Sequence, residues 1–396
     1  MLRIGLATLV VATAATWLAT PWVIRFARVV GAVDQPDPRK IHRQPIPRVG
    51  GAAVVFGFTA GVLFAAWASG FKVPTYEGIA GIYWPGLGIA AVWIFLIGFI
   101  DDVRRLSFRW KLAGQIVAGV AVWLWGFRIE FVTNPFGSGV IDLGPLALPL
   151  TLLWIVGITN AVNLIDGLDG LASGVALIVT LTMGLLAGLQ GKLGVTAACV
   201  ALAGSLLGFL RFNFNPARIF LGDSGSMFLG FVLAVASIRA SHKGPAAVAL
   251  LAPLLLLGLP ILDTGLAIVR RLWRVAFGVR ENVHERRISR ILRNGHHVFL
   301  PDREHIHHKL LDLGLSHRAS VLVLYGVTLV LSLDALAVTM NKGLAIVLIP
   351  LGVLALMFTS YLILVRGTSR GDAAEQASGG DAERHDKLAP AGADRR

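Results

Sequence analysis

A single cysteine, Cys199, in 396 residues leaves no intrachain disulfide framework and no cysteine-ligated metal centre. Charge is scarce too: Asp, Glu, Lys and Arg make up 15% of the chain, where soluble domains carry about 25%. Acids are the scarcer sign, 23 against 36 bases, for a net charge of +13. In a soluble chain that excess would suggest nucleic-acid binding; in a membrane chain it marks loops facing anionic lipid. No internal repeat is evident.

What is abundant is apolar sequence. Apolar residues make up 55% of the chain and 45 glycines come on top, enough for about ten or eleven spans of about 20 residues each. The runs fall at 3–27, 49–71, 79–100, 110–127, 146–162, 170–189, 194–212, 219–240, 245–269, 319–340 and 343–365. The expectation is an all-α polytopic membrane protein of about eleven transmembrane helices. The first run is too long for a signal peptide and is followed by Arg25 and Arg28, so it reads as an uncleaved span. Segments after runs 1, 3, 7 and 9 hold most of the Lys and Arg, which predicts an outer N-terminus, a cytoplasmic C-terminus and no need for a nucleic-acid partner. Residues 128–145 alternate and carry Asn134-Pro135 and Gly137-Ser138-Gly139, as a short outer hairpin does. Residues 1–365 form the membrane domain, cytoplasmic loop 270–318 included. The tail 366–396, rich in Gly, Ala, Asp and Arg, is expected to be disordered.

Four polar elements interrupt this pattern. Asp101-Asp102 directly follows Trp93–Ile100; taken alone, the pair reads as a solvated flank balanced by Arg104 and Arg105. Asn160-Ala-Val-Asn163-Leu-Ile-Asp166-Gly167-Leu-Asp169-Gly170 places Asn163, Asp166 and Asp169 at i, i+3 and i+6, one face of a helix. Asx-Gly pairs form ordinary turns, but two carboxylates and two amides without a base are costly beside a bilayer unless a cation is bound. Phe220-Leu-Gly-Asp223-Ser-Gly-Ser226 opens a span. There Asp223 or Ser224 can cap the helix, and a carboxylate at a phosphate-binding helix N-terminus can hold Mg²⁺. Asp302-Arg303-Glu-His305-Ile-His307-His308-Lys309 suits either zinc or a diphosphate clamp, and the lack of cysteine favours the clamp. All four emerge on the side the charge count makes cytoplasmic. Acids for Mg²⁺, bases for phosphate and a membrane floor together fit phosphoryl transfer.

At these residues the chain resembles the polyprenyl-phosphate N-acetylhexosamine-1-phosphate transferase superfamily over about residues 1–365. The matching motifs are Arg39-Lys40-Ile-His42 with Pro45, Pro47 and Gly50-Gly51; Asp101-Asp102 with Leu106 and Lys111; Asn160 to Gly170; Phe220 to Ser226; Pro260 with Asp263-Thr264; and Arg303 to His308. The resemblance implies that Asp223 holds Mg²⁺, or Mn²⁺ in its place, with Asn163 as second ligand. It implies catalytic roles for Asp101, Asp102, Lys111 and Asp166, and substrate contacts for Arg43, Asn160, Asp169, Phe220, Arg303, His305, His307 and His308. His-Ile-His-His, rather than three consecutive histidines, is similar to the branch that uses UDP-N-acetylglucosamine. The implied reaction passes N-acetylglucosamine 1-phosphate to undecaprenyl or decaprenyl phosphate on the cytoplasmic face of a bacterial plasma membrane, releases UMP and starts an envelope polysaccharide. A muramoyl-pentapeptide transferase activity, a secondary transporter using Asp263 or Asp334, and a homodimer remain open at this point.

Overall fold

The computed structural model describes residues 2–36, 44–70, 76–77, 82–133, 140–240, 252–277 and 305–340. The helices are α1 (Leu2–Val29), α2 (Gly51–Ala68), α3 (Trp84–Arg104), α4 (Phe108–Leu124), α5 (Ala147–Ile165), α6 (Leu171–Leu189), α7 (Leu193–Asn213), α8 (Gly222–Ala240), α9 (Gly258–Phe277), α10 (Ile306–Asp312) and α11 (His317–Met340). Among the described residues three antiparallel strand pairs join them: β1 (Val33–Asp34) with β2 (Ile46–Pro47), β3 (Tyr76–Glu77) with β4 (Ile82–Tyr83), and β5 (Phe131–Thr133) with β6 (Val140–Asp142). The last pair falls within 128–145.

Eight described helices are long and apolar enough to cross a membrane: α1, α2, α3, α5 with the turn before it, α6, α7, α8 and α11. The predicted run 343–365, the tail 366–396 and most of the loop 270–318 lie outside the described residues. So do Arg43 and Arg303.

Two seams organise the bundle. Along the first, α7 packs on α1 and α2 through small residues. Gly204 and Gly208 bring the α7 backbone against the carbonyls of Leu9 and Thr13, and Thr13 Oγ1 donates to Gly204 O at 3.0 Å. Between helices that share a lipid solvent, close packing and hydrogen bonds replace the hydrophobic driving force. Along the second seam α8 is flanked by α3 and α5. Among the described spans α8 is the most enclosed and α1 the least. A helix that is apolar around its whole girth belongs in the interior. Its N-terminus is where the polar motifs meet.

Candidate active site

Helix α3 continues through Asp101 and Asp102 to Arg104, rather than ending at residue 100. Both acids are buried, at 5% and 4% exposure, so the reading of a solvated flank balanced by Arg104 and Arg105 is corrected. Burial is tolerated because each carboxylate is partnered. Asp101 Oδ1 accepts the Leu106 N–H at 2.6 Å and Oδ2 accepts Lys111 Nζ at 3.1 Å. Lys111 Nζ also donates to Asp223 Oδ2 at 2.8 Å, 112 residues away in sequence, so one ammonium bridges the carboxylates of Asp101 and Asp223.

Asp102 faces the other way. Its Oδ1 accepts the Asp223 N–H at 2.9 Å and its Oδ2 the Ser224 N–H at 3.0 Å, while Arg48 Nε lies 3.5 Å from Oδ1. The first N–H groups of α8 are therefore capped from α3. The expectation that Asp223 or Ser224 caps its own helix is corrected, and two of the N–H groups that could have cradled phosphate are already occupied. Close backbone approach makes this geometry possible. A Cβ at Gly98, one turn before Asp102, would meet the Asp223 carbonyl; one at Gly51 would meet Gly225. Gly222, at φ +74°, lies under the Arg48 carbonyl and beside Asp102. Gly51 and Gly222 belong to motifs named from the sequence, but their role in close backbone approach, and Gly98 altogether, escaped the sequence reading, as did the contact of Arg48 with Asp102. The four-residue spacing of Gly98 and Asp102 was the available signal for Gly98.

The second element is not one helical face. Helix α5 ends at Ile165, with Asp166 as its C-cap and Asp169 in the following turn. Asn163 Nδ2 donates to Ser226 Oγ at 2.8 Å, which ties the end of α5 to the start of α8. Asn160 Nδ2 donates to Gln115 Oε1 at 2.7 Å and so belongs to the α4–α5 contact. Asp169 Oδ2 accepts Asn215 Nδ2 at 2.9 Å and the Ala217 N–H at 3.0 Å, while its own N–H donates to His317 Nε2 at 2.9 Å. Phe220 is held by its backbone, its N–H donating to Pro47 O at 2.8 Å and its carbonyl accepting from Gly50.

Burial, together with the fields of Asp223, Asp102 and Asp169, pushes the Asp166 carboxyl well above the usual carboxylate range. A raised folded-state value means that stability is lost as pH rises past the unfolded carboxylate range. Asp166→Asn is therefore expected to raise Tm at pH 8 by about 2 °C, a gain that fades toward pH 4. Circular dichroism melts at the two pH values check it; a Tm unchanged or lowered at pH 8 contradicts the repulsion.

The histidine motif closes the site from the far end of the chain. His305 Nδ1 lies 2.7 Å from Asp263 Oδ2, and Asp263 Oδ1 accepts the Ile306 N–H at 2.8 Å. Asp263 and His305 are both buried. A carboxylate accepts, so the contact puts an N–H on Nδ1 of His305, directed at Asp263, and leaves Nε2 as the other ring nitrogen. Asp263, expected as a family-motif residue or a transporter's ion site, is thus committed to His305. His307 stacks parallel to His305, with ring centroids 5.8 Å apart, and is tilted against His308 at 4.3 Å. Burial, with His308 second, lowers the His307 value to about 3, so this ring is uncharged at neutral pH. Its Nε2 is buried with no partner among the described residues and faces Gly167, where a Cβ would collide with it. Asp334, the other candidate ion site, is buried with neither oxygen partnered among the described residues.

Among the described residues no group of three His, Cys, Asp or Glu side chains forms a metal site. The donor set still suits a hard divalent cation. Asp101, Asp102 and Asp166 each feel the charge of Asp223, and Lys111 and Arg48 are cations in contact with this group. Asn163 lies within hydrogen-bonding reach of Asp223, and its side-chain amide carries an oxygen of the kind such a cation takes.

A polytopic helical bundle with carboxylates, one bridging lysine and a histidine loop gathered at one end of a buried helix defines a membrane-embedded group-transfer enzyme. Residues 84–241 match the family model described as glycosyl transferase family 4, and the chain belongs to that family. It is 38% identical over 336 residues to a probable undecaprenyl-phosphate N-acetylglucosaminyl 1-phosphate transferase of Bacillus subtilis, covering 85% of each chain. It is 39% identical over 337 residues to a decaprenyl-phosphate N-acetylglucosaminephosphotransferase of Mycolicibacterium smegmatis, covering 78% of this chain and 76% of the relative. A phospho-N-acetylmuramoyl-pentapeptide-transferase of Moorella thermoacetica is 36% identical over 251 residues, 59% of this chain and 75% of its own.

Proposed function

We propose that the protein transfers N-acetylglucosamine 1-phosphate from UDP-N-acetylglucosamine to a polyprenyl phosphate, on the cytoplasmic face of a bacterial membrane. The single observation that carries the reading is the Asp101–Lys111–Asp223 bridge at the N-terminus of α8. The names of the Bacillus and Mycolicibacterium relatives support the sugar, and their matches cover more of this chain than the muramoyl relative's does.

An oxygen of the lipid phosphate attacks the β-phosphorus of the nucleotide sugar. A new P–O–P bond forms, the bond from the β-phosphorus to the bridging oxygen breaks, and UMP leaves with that oxygen. In such transfers catalysis is positioning plus neutralisation of charge. Mg²⁺ at Asp223 and Asn163 would neutralise the diphosphate. Lys111, already between Asp101 and Asp223, offers its ammonium to a phosphate oxygen. Asp166, held toward its protonated form, donates a hydrogen bond to an anion instead of repelling it. His305 is oriented by Asp263 through Nδ1 and His307 offers an uncharged ring nitrogen, so His307 recognises its ligand by hydrogen bonding and not by charge. Arg43 and Arg303 stay as sequence-based expectations for the substrate.

Membranes expressing the protein, given radiolabelled UDP-N-acetylglucosamine and polyprenyl phosphate, are expected to yield a labelled organic-extractable lipid and one UMP per lipid formed. EDTA removes the label and Mg²⁺ or Mn²⁺ restores it. Labelled lipid absent from membranes that hold the folded protein would refute the assignment.

A further inference from the structure

A second feature lies on the α1–α7 seam, apart from the α3–α8 seam that holds Asp101 and Asp223. A groove of about 480 Å³ runs there between Trp17, Pro21, Trp22 and Arg25 of α1 and Arg211 and Arg218 beside the end of α7. From Trp17 to Arg25 is eight residues, about 12 Å along a helix. The groove therefore passes from an indole and proline wall to a cluster of three guanidiniums at the membrane face where α1 and α7 end. Arg25 lies over the Trp22 ring, 5.1 Å from its centroid.

Charge singles this groove out. Arg48 and Lys111 are neutralised by Asp102, Asp101 and Asp223. Arg25, Arg211 and Arg218 have no acidic partner among the described residues, and no acid lines the groove. Three uncompensated guanidiniums above an apolar wall match an amphiphile with an anionic phosphate head. A second copy across a two-fold axis would set the same three arginines against one another.

We propose that this groove is a docking site for an anionic phospholipid, its phosphate among Arg25, Arg211 and Arg218 and an acyl chain along Trp17 and Trp22. The inference goes beyond the transferase reading and stands without it. The ligand is a resident bilayer lipid and not the acceptor substrate.

Native mass spectrometry of the full chain released from nanodiscs of mixed phosphatidylcholine and phosphatidylglycerol tests it. Phosphatidylglycerol is expected to stay bound to the wild type. R25Q/R211Q/R218Q should lose it about a hundredfold, at about fivefold per basic residue, while R25K/R211K/R218K retains it. Inorganic phosphate should not displace it. The glutamine variant's melting temperature in pure phosphatidylcholine reports its folding; should it not fold, the single Arg→Gln variants carry the comparison at about fivefold each. Equal retention by wild type and folded variants overturns the proposal, as does equal retention of phosphatidylcholine. Displacement by equimolar undecaprenyl phosphate would make the groove an acceptor site, and a loss of dimer with unchanged lipid would make it a subunit contact; either result overturns it.

Discussion

Asp223→Asn is expected to lower transfer to lipid by about a thousandfold or more, the scale on which a charge-stabilising group aimed at a phosphoryl centre contributes. The fold should survive, because the tie between α3 and α8 uses the backbone N–H of residue 223 and not its side chain. Asn keeps the shape and loses the charge. Lys111 then retains Asp101 alone, 3.1 Å away, and any divalent cation loses its hardest ligand. Labelled-lipid formation at matched protein levels, with a melting curve alongside, measures both halves. A loss of less than about tenfold would remove Asp223 from the centre of the reaction. A collapse in melting temperature would make it a structural group.

Asp263→Asn is the second large effect, with kcat expected to fall about a hundredfold. The amide oxygen can still accept the Ile306 N–H, which Asp263 now takes at 2.8 Å. Its NH₂ must then donate to His305 Nδ1, which drives the ring proton to Nε2 and inverts the tautomer. Packing is preserved while the N–H that Asp263 holds on Nδ1 is lost and the ring proton moves to Nε2. Nitrogen-15 NMR of histidine-labelled protein reads the tautomer directly, independently of turnover. An unchanged tautomer, or an inverted one with full activity, would separate His305 from the chemistry. An intact KM beside the lowered kcat is the pattern expected if His305 acts on the transition state and not on binding alone.

The helices were legible because a bilayer demands long apolar runs, and those runs are local. Gly51–Ala68 lies within the predicted 49–71, Leu171–Leu189 sits one residue from 170–189, and Leu193–Asn213 one residue outside 194–212. The end of α3 was misplaced because Asp101 and Asp102 look like a solvated flank until partners for them are known. Those partners are remote: Asp102 caps a helix 121 residues later in sequence, and Asp263 holds a histidine 42 residues away. Periodicity carries no information at that separation. The motif spanning 160 to 170 was recognised as polar and costly, but an i, i+3, i+6 spacing cannot show that α5 stops at Ile165 and spreads its acids over a turn. The part played by the glycines at 51, 98 and 222 was invisible for a related reason, although Gly51 and Gly222 lie in motifs the sequence displays. A glycine's importance lies in which backbone comes to rest against it.

The capping of α8 from α3 also has a consequence for how the chain is made. A ribosome delivers Asp102 to the insertion machinery long before Gly222, Asp223 and Ser224 exist, so that carboxylate must enter the membrane without the amides that later satisfy it. A nascent polypeptide stopped short of Gly222 would carry a buried, unsatisfied acid. Arrival of α8 is thus the step that satisfies an acid laid down in α3.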